Sequence, residues 1–181
     1  MRKKLSVFFL FALLSSANAQ VYDYNDNCRQ IHEAVIRLEF NKANSLIRHE
    51  KAINPDNLLP VYFDNYIDFL SLVIGEDEDS LRLLEEKKED RIDLLRKGPQ
   101  IDPYHRYSIA IVNMQWAFAR IKFGEYFKAF FEIRRALKLL EENQELFPDF
   151  LPQYSGLGLL HALLGSIPED YQWVSDLLGL K

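Results

Sequence analysis

Histidine and cysteine are the residues of this chain whose side chains most readily perform acid–base or metal chemistry near neutral pH. The chain has four histidines and one cysteine: His32, His49, His105, His161 and Cys28. Each histidine lies on a different predicted helix, none belongs to an HExxH zinc motif, and the cysteine has no partner at metal-ligand spacing. Local spacing therefore predicts neither a catalytic residue nor a metal ligand, and either would require the fold to bring distant residues together.

Three short motifs were considered for chemistry, and each is better explained by structure. The acidic run GEDEDS, residues 75–80, lacks the ligand spacing of an EF-hand calcium loop and suits a helix N-terminus. The glycines of GLGLLHALLG, residues 156–165, follow no strand, unlike a nucleotide-binding loop, and favour close helix packing. The mixed charges of EEKKEDR, residues 85–91, predict a solvated helix face. The sequence thus predicts no cofactor.

The first nineteen residues have the layout of a secretory signal peptide. Basic residues 2–4 precede an apolar run over 5–14, and the small residues Ala17 and Ala19 predict cleavage after Ala19. The alternative is an uncleaved anchor, but this run is shorter than the ~20 apolar residues that span a bilayer. We therefore expect a signal peptide at 1–19, a mature chain without a transmembrane span, and a secreted or periplasmic location.

The charge balance argues against nucleic acid as a partner. Removal of the signal peptide would remove three basic residues and no acidic one, and would change the formal net charge from −5 to −8. Nucleic-acid binding needs lysine and arginine to neutralise phosphates. The single cysteine, Cys28, also rules out an intramolecular disulfide. Stability must therefore come from the core.

Helix signals run along the rest of the chain, and strand signals are almost absent. The clearest boundary is LRKGPQIDP, where Gly98 and Pro99 end one helix, Asp102 caps the next, and Pro103 begins it. The predicted helices form four consecutive pairs: 24–37 with 41–52, 58–74 with 80–97, 103–122 with 125–143, and 154–164 with 170–178. The sequence therefore predicts an all-α fold of antiparallel helical hairpins, about eight helices, in one domain spanning residues 20–181.

The stretch FGEYFKAFFEIRRAL, residues 123–137, places four phenylalanines and a tyrosine among charged residues. On a helix, steps of three and four residues put Phe127, Phe130 and Phe131 on one face with Leu137 and Leu140. The charged residues that fall mostly off this face are Glu132, Arg135, Lys138 and Glu142. An aromatic face of this kind is typical of a helix that packs into a core, so we expect most of these rings to be buried.

The same stretch carries a fixed order of small and large residues. The order small, glycine, aromatic, alanine, large, alanine is formed by Ala117, Gly124, Tyr126, Ala129, Ile133 and Ala136. This order resembles a tetratricopeptide (TPR) repeat. The first hairpin resembles a second copy, with the aromatic, alanine, large and proline positions at Phe40, Ala43, Ile47 and Pro55. The copies depart from the repeat pattern at Leu38, where glycine is expected, at Glu50, where alanine is expected, and at Glu141, where proline is usual.

The TPR resemblance implies a short right-handed superhelix whose concave groove is formed by the first helix of each hairpin and holds a peptide or protein segment. The register set by Gly124 gives one set of groove candidates: Ile111, Met114, Phe118, Ile121 and Lys122. Helical spacing in the second hairpin gives a further set: Tyr62, Asn65, Tyr66 and Phe69.

These expectations lead to one hypothesis and two alternatives. The hypothesis is an exported, non-enzymatic TPR-like scaffold that binds a protein or peptide in the cell envelope. One alternative is that the chain is the N-terminal part of a larger protein whose activity lies beyond residue 181. The other is a helical hydrolase or metal-binding enzyme, which would need at least two of the four histidines and nearby carboxylates to converge.

The last predicted hairpin, residues 154–181, is the most apolar part of the mature chain, and apolar surfaces of this kind usually mark contacts. We expect it to contact a partner or a second copy of the chain. Light scattering of residues 20–181 over a concentration series should then show a concentration-dependent dimer, and replacing Leu160 and Leu164 with Asp should yield monomer. A monomer at every concentration would contradict this expectation.

Overall fold

The computed structural model describes residues 19–165, with side chains to residue 163. This part of the chain contains seven α-helices, and its only pairing of extended backbone is an isolated bridge between Val21 and Asn57. The helices are α1 (Asp26–Ile36), α2 (Phe40–Ile53), α3 (Leu59–Gly75), α4 (Glu78–Leu95), α5 (Pro103–Lys122), α6 (Tyr126–Leu146) and α7 (Pro152–Gly165). The all-α prediction is confirmed for these residues. The predicted helix 170–178 and all but the last residue of the predicted signal peptide lie outside them.

The helices pack as consecutive hairpins. The pairs α1 with α2, α3 with α4 and α5 with α6 are in contact, and α7 contacts both helices of the third pair. The helix α3 lies between α1 and α5 and contacts both. The core runs through all of these interfaces, and Ile31, Phe63 and Ile92 are among its fully buried side chains. This order brings the first helices of successive hairpins side by side.

The first and third hairpins share one turn geometry. In the third, Gly124 has a φ of 75°, and in the first, Leu38 has a φ of 60°. In both turns the N–H of the next residue donates to a carbonyl five residues earlier, at 2.8 Å in the third hairpin and 2.9 Å in the first. A residue with a Cβ is strained in this region of φ by roughly 1–2 kcal/mol. Leu38 therefore keeps the turn at a conformational cost that glycine avoids.

The aromatic face of α6 is less buried than the sequence predicts. Phe130 is buried, but Phe127 and Phe131 are 75% and 44% exposed. The residues of α6 that enter the core are Ala129, Phe130, Ile133, Ala136, Leu137 and Leu140. Tyr126 is 68% exposed as well. The prediction that most of the rings fill the core was therefore wrong, because the buried face of the helix is centred on the small and aliphatic residues.

A buried ion cluster joins α4, α5 and α6 and corrects two further predictions. Glu132 and Lys88 were both predicted to face solvent, and both are buried. Glu132 Oε1 accepts from Arg120 Nε at 2.9 Å and from Lys88 Nζ at 2.8 Å, and Arg120 also pairs with Glu85 at 2.6 Å. The two cationic groups lie 5.6 and 6.0 Å from the centre of the Trp116 ring. Pairing of this kind offsets the cost of removing these charges from water.

Part of the apolar surface of α7 is buried against the rest of the chain. Leu157 and Leu160 are buried in the core, and the core side chains Leu140 and Ile111 lie against Gly156. Replacing Leu160 with Asp would therefore place a charge in the core, so this change does not test dimerisation alone as expected above. Leu164 lies past the last described side chain. Between residues 19 and 165, no helix combines the length and apolar character needed to cross a bilayer.

Gly98, which follows α4, allows a close approach of the N-terminal segment. A Cβ at this position would lie 2.7 Å from Leu58 Cδ1 and closer to the Tyr22 ring than van der Waals contact allows. We therefore expect Gly98→Ala to lower the free energy of unfolding by about 1–3 kcal/mol through overpacking. Urea unfolding measures this change.

The matched control is Gly158→Ala, because Gly158 lies within α7 and a Cβ there would meet nothing within 4 Å. Alanine should be neutral there or stabilise the helix by up to about 1 kcal/mol. Equal losses in the two variants would show that the contact with Tyr22 and Leu58 is not the cause.

Candidate functional site

The histidines and the cysteine take separate places in the structure. His49 and His161 are exposed, whereas His32 and His105 contact Tyr24 and Tyr22. Cys28 is buried beside Asn57, and burial raises the pKa of its thiol to about 12. In the region from 19 to 165, no group of three or more His, Cys, Asp or Glu residues is arranged to hold a metal ion.

The most distinctive concavity of the described residues is a small cavity with aromatic walls, which we call the tyrosine pocket. Its volume is about 90 Å³. It is lined by Tyr24, His32, Leu59, Tyr62, Tyr104, Tyr107 and Pro152. A larger and more open concavity of about 410 Å³, the outer groove, lies along α1 and is lined by Tyr24, Arg29, His32, Glu33, Ile36 and Arg37. Tyr24 and His32 line both, so the pocket adjoins the groove.

The rings around the tyrosine pocket contact one another in a closed circuit. Tyr24 stacks on Tyr104, with centroids 5.6 Å apart and planes 16° from parallel. The circuit continues through Phe150, Tyr107, Tyr62, Tyr66 and His32 back to Tyr24, with centroid separations of 4.9, 5.3, 6.2, 6.1, 6.3 and 6.3 Å. These are the separations at which aromatic pairs attract one another. Each ring is therefore held in place by contacts with its neighbours in the circuit.

Three helices and two connecting segments supply these rings. Tyr62 and Tyr66 lie one turn apart on α3, and Tyr104 and Tyr107 lie in the first two turns of α5. The start of α5 is fixed by Asp102, whose carboxylate accepts from the backbone N–H of Tyr104 at 2.8 Å. The pocket thus depends on the side-by-side packing of α1, α3 and α5.

Tyr24 reaches the pocket because the segment before α1 is bound to the loop after α2. We call this segment, residues 20–25, the N-terminal strap. Val21 N donates to the carbonyl of Asp56 at 3.0 Å, and Leu58 N donates to the carbonyl of Val21 at 2.9 Å. The amide of Asn57 accepts from Asp23 N at 3.1 Å and donates to the carbonyl of Asp23 at 2.9 Å. These four hydrogen bonds therefore hold the strap in the position where Tyr24 contacts α5.

The carboxylate of Glu50 binds both the strap and the loop after α2. It is fully buried and accepts hydrogen bonds from four asparagine side chains. The donors are Asn25, Asn27 and Asn57 at 2.8 Å each and Asn54 at 3.0 Å. Burial alone would raise the pKa of Glu50, but these hydrogen bonds together outweigh burial and hold its pKa below the ordinary value. Glu50 is thus charged at neutral pH, and no lysine, arginine or histidine of the described residues pairs with it.

The pocket itself carries no formal charge near neutral pH. Burial raises the pKa of each tyrosine hydroxyl in its lining, to about 12 for Tyr107. Burial also lowers the pKa of His32, so its ring is neutral. The Tyr24 hydroxyl and His32 Nδ1 are 2.8 Å apart, which orients both side chains. The site therefore offers π faces and neutral hydroxyl groups.

The α3 candidates predicted from sequence divide between this site and the core. Tyr62 lines the pocket, and Tyr66 belongs to the ring circuit. The half-buried Phe69 contacts Tyr66, with ring centroids 6.3 Å apart. Asn65 is fully buried between helices: it donates to Gln115 Oε1 at 2.7 Å and accepts from Trp116 Nε1 at 3.0 Å. Asn65 therefore links α3 to α5.

The α5 candidates lie further along that helix than the pocket. Ile111 and Met114 are buried in the core, Phe118 and Ile121 are half-buried against it, and Lys122 is exposed. Lys122 pairs with Glu76 at 2.6 Å. A contact role for this set remains a prediction. Tyr24, Tyr104, Tyr107 and Phe150 were not predicted from the sequence, and His32 was considered there only for acid–base or metal chemistry.

The buried charge of Glu50 predicts a specific acid sensitivity. Because its folded pKa lies below the ordinary 4.5, protonation favours the unfolded state. The contribution of Glu50 to stability is therefore complete above about pH 4.5 and is lost as the pH falls through its folded pKa. Urea unfolding from about pH 3 to pH 7 should show that Glu50→Gln flattens this dependence. At pH 7 the variant should lose about 1–3 kcal/mol, because the new amide presents donors to asparagine donors.

The control is Glu142→Gln, which removes a partly exposed carboxylate held only loosely by Lys138 and Arg106, each at 3.8 Å. This change should leave the acid dependence nearly as in the parent. If Glu50→Gln also leaves it unchanged, other carboxylates determine the acid sensitivity.

No protein-family model, curated protein or solved structure matches this chain. The TPR resemblance therefore remains a prediction that depends on the residues quoted for it. The function is inferred below from the described side chains.

Proposed function

We propose that this chain is an exported, non-enzymatic scaffold that binds a peptide or protein segment in the periplasm or at the cell envelope. The segment lies in the outer groove and reaches the tyrosine pocket. The observation that carries the proposal is the continuity of an open groove with a pocket surrounded by contacting aromatic rings.

The packing order of the hairpins supports a solenoid that presents one binding face. Its first helices α1, α3 and α5 lie side by side, and each supplies residues to the site. The shared turn geometry of the first and third hairpins supports a degenerate internal repeat. We therefore propose a short TPR-like superhelix, in which the groove formed by successive first helices is the binding surface.

The chemistry of the outer groove suits a peptide. Ile36 is 56% exposed and offers apolar surface between the charged residues of α1. Arg29 pairs with Asp26 and Arg37 pairs with Glu33, each at 2.7 Å, so the groove carries both signs of charge. Tyrosine is enriched among the residues that dominate protein interfaces because its large ring loses little conformational entropy on binding.

Selection from a random peptide display library tests this proposal. Peptides selected on the exported chain should bind Ile36→Glu about tenfold or more weakly, because the variant loses apolar burial in the groove. The matched control is Ile74→Glu, since Ile74 is 58% exposed and does not line the groove. Titration calorimetry with a selected peptide gives both affinities.

Two results would contradict the proposal. The first is that no peptide is enriched on the folded chain. The second is that the two isoleucine variants weaken binding equally, which would place the peptide outside the outer groove.

A further inference from the structure

We propose that the tyrosine pocket binds an alkylammonium group, the end of a lysine or methylated lysine side chain, as the anchor of the segment in the outer groove. This inference depends on the proposed function for the identity of the segment. It adds the chemical class that the site selects.

The size of the pocket excludes a large anchor. Its volume of about 90 Å³ is well below the roughly 150 Å³ of an apolar cavity that accommodates benzene. A phenylalanine, tyrosine or tryptophan side chain would therefore need the pocket to open. A lysine ammonium group with its last methylene carbon needs less room, and the methyl groups of a methylated ammonium can lie where the pocket adjoins the outer groove.

The walls of the pocket favour a cation over a neutral group of the same size. Four tyrosines and His32 supply most of the lining, and Leu59 and Pro152 complete it. The face of an aromatic ring attracts a cation within about 6 Å of its centre, and the attraction grows when water is excluded. Tyr62 is almost fully buried, so at least this wall is shielded from water.

The lining of the pocket contains no cation that would compete with a bound ammonium group. None of the residues that line it is lysine or arginine, and His32 is neutral because burial lowers its pKa. The nearby Arg29 does not line the pocket: it lies 6.0 Å from the centre of the Tyr24 ring and is paired with Asp26. On the α5 side, the carboxylate of Asp102 is bound at the backbone of Tyr104.

Hydroxyl groups give the pocket the means to recognise N–H as well as methyl groups. The hydroxyls of Tyr24, Tyr62, Tyr104 and Tyr107 stay protonated, and those of Tyr62 and Tyr107 are hydrogen-bonded to each other. A hydroxyl oxygen that keeps a free lone pair can accept a hydrogen bond from an ammonium N–H. Tyr24 is also 2.8 Å from His32 Nδ1, which leaves its oxygen a lone pair for a ligand. The same walls therefore suit a lysine ammonium and its methylated forms.

Choline and 3,3-dimethylbutan-1-ol test the charge requirement directly, because a carbon atom in the alcohol replaces the ammonium nitrogen of choline. We expect choline to shift the tyrosine ring resonances in NMR spectra of the exported chain and to bind more tightly than the alcohol at constant ionic strength. Equal affinities would overturn the inference, because the pocket would then bind apolar groups regardless of charge. No shift with either compound would overturn it too.

Variants locate the binding to the pocket. Tyr107→Leu should weaken choline binding about 2- to 30-fold, the range expected for loss of a cation–π contact, whereas Tyr107→Phe keeps the ring and should retain most of the affinity. The matched control is Tyr126→Leu, because Tyr126 is 68% exposed and lies on α6 away from the pocket. If Tyr107→Leu does not fold, the ring resonances that shift in the parent protein show where choline binds. Shifts confined to rings outside the pocket would overturn the inference.

The two proposals fail in different ways. Peptides that bind through Ile36 without any lysine preference, together with no choline binding, would overturn the ammonium anchor and leave the scaffold intact. Choline binding on a chain that enriches no peptide would overturn the scaffold and support ammonium recognition of a small molecule.

Discussion

The buried carboxylate of Glu50 is the interaction on which the arrangement of the site depends. Removing a carboxylate from water is costly, and here four asparagine amides offset that cost without a cation. One of these donors, Asn25, also caps α1 by accepting from Cys28 N at 3.0 Å. Another, Asn57, holds the strap. The start of α1, the loop before α3 and the position of Tyr24 are therefore set together by a single charged group.

The local features of the fold could be predicted from the sequence because they depend on neighbouring residues. The helix from Pro103 to Lys122 has the predicted bounds, since a proline with a preceding aspartate fixes its start. The alanine and large positions of the two quoted repeat copies, such as Ala43 and Ala129, are buried in both hairpins. Glu50 stood out in the sequence only as a departure from that pattern, and its role became evident only when the four asparagines were seen around it.

The remaining features depend on contacts between distant residues or on the balance of two local signals. The spacing of Tyr104 and Tyr107 was visible, but their contact with a tyrosine that precedes α1 requires three helices to be packed first. Lys88 shows the second case: it lies seven residues after Leu81 and seven before Leu95, and all three are buried. The alternating signs around Lys88 suggested solvent, whereas its phase with the leucines indicated the core. The periodicity predicted the burial of Lys88 correctly, because Glu132 on α6 and Trp116 on α5 stabilise its charge in the core.

The N-terminal strap limits which cuts near residue 20 the structure can tolerate. Residues near chain ends are usually those that proteases and protein engineers remove without effect. Here Val21 is hydrogen-bonded to the loop after α2, Tyr22 packs on Gly98, and Tyr24 forms a wall of the pocket. Cleavage after Ala19 would leave the strap whole, whereas a cut after Tyr24 would remove that wall. The position of processing would then decide whether the chain keeps the tyrosine pocket intact.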